Sequence, residues 1–183
     1  MPRYVALLRG INVGGNNLIR MTDLARCFEE AGLEDVTTYI QSGNVVFAVP
    51  RKVSSAKLAG RVEQALEARF GAPIPVVVRS LDELRAVVSE APRGFGASPR
   101  ERRYDVIFVK EPTSPEEVLA VAPVNPAVDS VAAGPFVLYY SRLVEKASQS
   151  RLSKLVALPI YKRVAIRNWN TTTKLLSMLE RGL

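Results

Sequence analysis

The sequence predicts an α+β fold of two ferredoxin-like (βαββαβ) subdomains, built on mainly antiparallel sheet and ended by a C-terminal helix. Three observations carry this reading. Strand-like apolar runs and amphipathic stretches follow the order β-α-β-β-α-β over residues 1–80. The same order returns about a hundred residues later, as a pattern without residue identity. Two glycine-centred turns, Ser42-Gly43 and Gly134-Pro135, each divide two β-rich runs, which is a hairpin signature. The organisation predicted is a first subdomain over 1–80, a helix with a Pro/Gly/Arg linker over 81–103, and a second subdomain over 104–183 with a basic C-terminal part.

The elements follow in chain order. Residues 3–9 read as a half-buried strand. A helix begins at Thr22 or Asp23, with Met21, Leu24, Cys27, Phe28 and Ala31 at helical spacing and Gly32 past its end. Two strands flank Ser42-Gly43. A helix over about 55–70 turns Leu58, Val62, Ala65 and Leu66 inward, and Gly71 stops it. PIPVVVRS supplies the next strand, its prolines confining it to an edge or to strand entry. Ser80 and Glu83 form a capping box for a helix over 81–90. APRGFGASPRERR has no periodicity and reads as a mobile loop or linker. YDVIFVK is a strand, and Ser114-Pro115-Glu116-Glu117 is a helix start. The hairpin at Gly134-Pro135 follows, then a short basic helix over 150–156 that stops before Pro159. RVAIR alternates as a strand. Asn170 or Thr171 caps a last helix with Leu175, Leu176 and Leu179 inward.

Composition excludes several function classes. The chain has 183 residues and no histidine, which removes the usual general base near neutral pH and the commonest metal ligand. Ser-His-Asp and Cys-His catalysis are therefore excluded within the chain. The single cysteine, Cys27, permits no intramolecular disulfide and makes a zinc site unexpected. No metal and no cofactor are expected. The apolar run near the start is too short for a signal-peptide core, and no stretch approaches a membrane span. A cytoplasmic protein without a membrane partner is expected. The net charge of +7 is placed unevenly: residues 142–183 hold nine Lys/Arg against two acids, while residues 1–141 balance sixteen against sixteen. That asymmetry favours an anionic partner, with a solvated basic face as the plain alternative.

Two stretches hold candidate ligand-binding residues. ALLRGINVGGNNLIRM has P-loop spacing from Gly10 to Gly15, but Asn16 and Asn17 stand where Lys and Ser/Thr are required. A dinucleotide fingerprint fails too, because Asn12 replaces its second glycine. Ferredoxin-like topology places this loop beside the start of the third strand. That gathers Arg9, Gly10, Asn12, Gly14, Gly15, Asn16, Gln41, Ser42 and Asn44 at one sheet end, with backbone N–H groups open to an anion. The alternative is that Gly and Asn serve positive φ, their amides satisfying the loop itself. The second stretch, VAIRNWNTTTKLL, opens a helix with no acid in its first turn. Arg167, Asn168, Trp169, Thr171 and Lys174 could hold an anion there, with Trp169 stacking on a ring. The alternative makes Trp169 a core plug and Thr171 a plain cap.

ALLRGINVGGNNLIRM, TYIQSGNVVF and IRNWNTTTKL, in this order, resemble a bacterial family of unknown function whose members open with an LLRGINVGG-type segment. The resemblance covers nearly the whole chain. It implies an α+β fold of ferredoxin-like subdomains in a small cytosolic protein. It implies no activity, so catalytic residues stay unassigned.

The leading functional expectation is a binding module for a phosphate-bearing small molecule, held in a cleft between subdomains and touched by both stretches. One alternative is nucleic-acid binding through the basic C-terminal quarter. Another is a histidine-independent enzyme acting on a phosphorylated substrate. Ligand identity and oligomeric state are not specified by the sequence.

Overall fold

The computed structural model describes residues 1–15 and 17–182. It contains β1 (Arg3–Leu8), α1 (Met21–Glu30), β2 (Glu34–Tyr39), β3 (Asn44–Ala48), α2 (Ser55–Phe70), β4 (Val76–Ser80) and α3 (Leu81–Ser89). There follow β5 (Arg102–Val109), α4 (Pro115–Val121), β6 (Asp129–Gly134), β7 (Val137–Leu143), β8 (Val164–Asn168) and α5 (Trp169–Arg181). Two four-stranded sheets form, in the orders β2-β3-β1-β4 and β6-β7-β5-β8, with every neighbouring pair antiparallel. The fold is α+β, and each sheet has the ferredoxin-like order. The chain divides into two compact units, Met1–Leu84 with the segment from Lys174 onward, and Arg85–Thr173.

In the first unit α1 and α2 cover one sheet face. Leu24, Phe28, Leu58 and Leu66 meet Tyr4, Phe47 and Val78 there. The opposite face is buried as well: Val5, Leu7, Val46 and Val77 are no more than 2% exposed. β1 is therefore not the half-buried strand its sequence suggests. Burial on both sides is why its residues run YVALL without polar alternation. Ser54 caps α2 by accepting from the Lys57 N–H, and Gly71 ends it at φ 74°.

In the second unit Ile107, Leu138, Tyr140 and Val164 face α4 and a run of 3-10 turns. Ser114 and Glu117 close the expected capping box on α4. The short helix expected over 150–156 is instead three 3-10 segments, Ala147–Gln149, Leu152–Ala157 and Pro159–Arg163. Ser150 is extended and separates the first two, and the middle segment stops before Pro159, as expected. Both hairpin connections also differ from expectation. β2 and β3 are joined by residues 40–43, with Ile40 at φ 50° and Gly43 at φ 85°. β6 and β7 turn through Pro135-Phe136 rather than Gly134-Pro135.

Residues 91–101 are ordered by consecutive turns. The N–H groups of Phe95, Ala97 and Glu101 donate to the carbonyls of Pro92, Gly94 and Ser98 at 2.9, 3.0 and 3.0 Å. Phe95 anchors the segment by edge-on contact with Tyr104, Tyr139 and Trp169, at centroid distances of 4.9, 5.4 and 5.1 Å.

Candidate functional site: an arginine-lined notch beside β8

The loop of residues 10–17 meets the 40–43 turn, as the topology requires. The Leu8 N–H donates to Gly43 O at 2.8 Å. Asn12 Oδ1 accepts from the Ile19 N–H at 2.8 Å, and its Nδ2 donates to Ile19 O at 3.1 Å and Gln41 O at 2.9 Å. Asn44 is fully buried and donates through Nδ2 to Tyr39 O and Ser42 Oγ. Asn17 Nδ2 donates to Gly10 O at 3.1 Å. Gly10, Gly14 and Gly15 all lie at positive φ, as do Asn12 and Asn17. The side-chain amides thus hold the loop's own backbone, which is the plain reading of Asn12 and Asn44. Arg9 is half-buried, with its N–H donating to Pro75 O at 3.0 Å. Asn16 lies outside the described residues. Asn12→Ala removes a brace of three hydrogen bonds and is expected to cost about 1–3 kcal/mol. A thermal melt checks this; an unchanged midpoint would show that Asn12 braces nothing.

The second stretch has a different character. β5 pairs with β8 only from Asp105, opposite Asn168, onward to Val109. Arg102, Arg103 and Tyr104 therefore run past the end of β8 with that edge unpaired by it. β8 stops because Asn168 begins a cap: its Oδ1 accepts from the Thr171 N–H at 2.7 Å. The chain turns away into α5, two to three residues earlier than the Asn170 or Thr171 cap expected. The space left beside β5 is a cavity of about 260 Å³. Arg102, Arg103 and Arg142 line it with Asp105, Asn168, Trp169 and Asn170, and Gly96 closes one wall.

The notch is positively biased, with three guanidinium groups against one carboxylate. Arg102 is fixed by donating from Nε to Ser141 Oγ at 3.1 Å and from Nη2 to Val128 O at 3.3 Å. Two of its five N–H donors are thereby used. Arg142 Nη1 lies 3.4 Å from Asp105 Oδ2. Burial pushes the Asp105 carboxyl above the usual carboxylate value, against the pull of Arg142 and Arg103. Arg167, Thr171 and Lys174 do not line the notch. Arg167 pairs with Val106, on the face of β5 opposite to Arg103 and Asp105, and donates to Ile166 O at 2.9 Å. Burial brings its guanidinium down to about 10, still charged near neutrality. Thr171 is buried, and Lys174 is exposed on α5.

An internal repeat explains why this junction differs from its counterpart. The fourth strand of each sheet ends in an arginine followed by a helix-capping residue, Arg79-Ser80 and Arg167-Asn168. Both arginines donate from Nη1 to the carbonyl of the preceding residue, at 2.7 and 2.9 Å. At the first junction Glu83 returns a carboxylate to the Ser80 N–H at 2.8 Å. At the second, the first turn of α5 has no acid. Its hydroxyls fold back on the helix: Thr172 Oγ1 donates to Asn168 O and Thr173 Oγ1 to Trp169 O. The positive helix end is thus left without a carboxylate of its own turn.

Of the candidates picked from the sequence, Asn168 and Trp169 line the notch, whereas Arg102, Arg103, Arg142 and Asp105, which also line it, were not among them. The visible signal was the ERRYD run: its charges sit on the open end of a strand that starts two residues before Tyr104. Among the described residues, no group of three or more His, Cys, Asp or Glu side chains could hold a metal ion.

Among solved structures, the conserved bacterial protein SP0830 from Streptococcus pneumoniae is similar, at 28% identity and a TM-score of 0.83. The match covers 97% of this chain and 98% of that one. No curated protein matches the chain. The family model described as "Protein of unknown function (DUF1697)" matches residues 1–139. With well over half of its length matched, the chain belongs to this family of proteins of unknown function.

Proposed function

We propose that this protein is a binding module for a phosphate-type anion, taken up at the notch beside β8 and working in a bacterial cytoplasm. The observation that supports this reading is the convergence of Arg102, Arg103 and Arg142 on one cavity at the start of a helix lacking an N-terminal acid. Guanidinium forks match phosphate geometry, and helix N-termini favour anions. Asn168, Trp169 and Asn170 complete the wall. The 10–17 loop is the weaker place, because the amides of Asn12 and Asn44 are engaged within it. Cytoplasmic placement rests on a lone, buried Cys27 and on the absence, among the described residues, of any helix long and apolar enough to cross a membrane.

Trp169 is the chain's only tryptophan and sits in the notch wall, so its fluorescence reports occupancy directly. Titration with inorganic phosphate is expected to change that emission saturably. Arg142→Ala is expected to weaken binding by about fivefold, one charge-assisted contact being lost. Equal affinity in the variant would remove the notch as the site.

A second reading, contact with a nucleic-acid backbone, draws on the exposed Lys146, Arg151, Lys154, Lys162 and Arg163 along the 3-10 segments. It requires affinity to fall steeply with salt. Salt-independent RNA or DNA binding would count against it.

A further inference from the structure

We infer that the notch is one half of a bipartite site, and that its ligand is a nucleoside phosphate rather than a bare anion. This rests on the anion-binding reading above and names its substrate class. A second cavity, of about 300 Å³, is also lined by Arg102 and Tyr104 and lies within the same unit. Its remaining walls have a different chemistry. Phe95 supplies a half-buried ring, edge-on to that of Tyr104 at 4.9 Å, and Ser130, Ala132 and Ser141 form the strand side.

The register explains why the two cavities share a wall. Tyr104 stands opposite Ser141, and Ser141 opposite Ser130, so these three lie in one row across β5, β7 and β6. Paired residues on adjacent strands point to the same face. Arg102 is two residues along β5 and shares that face. Its Nε bond to Ser141 Oγ lays the guanidinium along the row. Its Nη2 donates to Val128 O at 3.3 Å, so the guanidinium reaches from β5 across β7, and Arg102 is common to the linings of both cavities.

One side therefore offers cations and a helix start, and the other offers ring surface and hydroxyls. Neither the single phosphate nor the single ring matches both. A phosphate joined to a ribose and a planar base does: the anion meets Arg103 and Arg142, and the base lies against Phe95 and Tyr104 on the face that Arg102 shares. The volumes of about 260 and 300 Å³ together fall within the roughly 300–1,000 Å³ of small-molecule sites. Tyr139 contributes little to recognition. It is 2% exposed, its hydroxyl donates to Val87 O at 2.6 Å, and burial pushes its phenol up to about 12.

The test uses the full chain with adenosine monophosphate, ribose 5-phosphate, adenosine and inorganic phosphate, read by Trp169 fluorescence and calorimetry. Adenosine monophosphate is expected to bind roughly tenfold more tightly than phosphate, the worth of one stacked base. Ser130→Leu, at an exposed edge-strand position, is expected to fill the second cavity. It should abolish the nucleotide's advantage and leave phosphate affinity unchanged. Ala132→Leu serves the same purpose should the first variant fail to fold. Phosphate binding with no gain from the nucleotide overturns this inference alone. Absence of binding by any phosphate overturns the anion reading beneath it. A nucleotide advantage that survives both leucine variants places the base elsewhere and overturns the bipartite site.

Discussion

Gly96→Ala is expected to cost about 2–5 kcal/mol and to shift the emission of Trp169. Two effects add. Gly96 sits at φ 86°, where an L-residue pays roughly 1–2 kcal/mol. A Cβ built there also falls 2.3 Å from Trp169 Nε1 and 2.5 Å from its Cδ1. The indole cannot simply swing aside, because Phe95 packs against it at 5.1 Å. Such overpacking costs a further 1–3 kcal/mol or so. Gly94→Ala is the matched control. Its φ of 80° carries the same strain, but nothing lies within 4 Å of an added Cβ. Gly94→Ala is therefore expected to lower the melting temperature by less and to leave Trp169 emission unchanged. Equal losses in the two variants would mean that Trp169 is not held against Gly96.

Asp105→Asn is expected to tighten anion binding by about tenfold and to remove the pH dependence that the carboxyl's titration gives it. The ionised carboxylate repels an incoming anion and occupies Arg142 at 3.4 Å. Removing one charge in partly screened surroundings is worth on the order of 1.4 kcal/mol, or about tenfold. The sign with pH follows from the direction of the shift. Burial holds the Asp105 carboxyl above its unfolded value, so the group takes up a proton at a higher pH in the folded protein. Anion affinity in the native sequence should therefore rise as pH falls through the raised value toward the ordinary carboxylate value of about 3.9. Sulfate is the suitable probe, since it stays dianionic across this window. The same shift means that the folded state gives up stability as pH rises through the raised value. The asparagine variant is accordingly expected to be at least as stable as the native chain near pH 7. Sulfate affinity that stays level in the native protein as pH falls would contradict this assignment.

Local features were the legible ones. The Ser114/Glu117 box, the Ser80/Glu83 box, the Gly71 stop and the α2 stripe each depend on residues within one or two turns, and each was readable. Asn168 and Trp169 stood out for the same reason, as an amide and an indole just before a run of threonines. The notch itself was not legible. It exists because β8 ends opposite Asp105 while β5 continues back to Arg102, a register set by pairing over sixty residues of separation. Arg142 reaches it from β7 by pairing with Arg103. The 91–101 segment hid its role because turns, not periodic burial, hold it, and one ring, Phe95, fixes it. The loop after β1 also depended on contacts beyond local sequence. Glycine and asparagine at that spacing suggest a cradle, whereas Asn12 spans the loop and the neighbouring turn with all its polar atoms.

The most direct test of anion binding at the notch is an anomalous-difference map from crystals of this protein soaked in tungstate, a heavy tetrahedral oxyanion. A single strong peak within hydrogen-bond reach of the Arg103 and Arg142 guanidinium groups, beside Asn170, is the expected result. A clear notch, with tungstate ordered only at the 10–17 loop or nowhere, would contradict it.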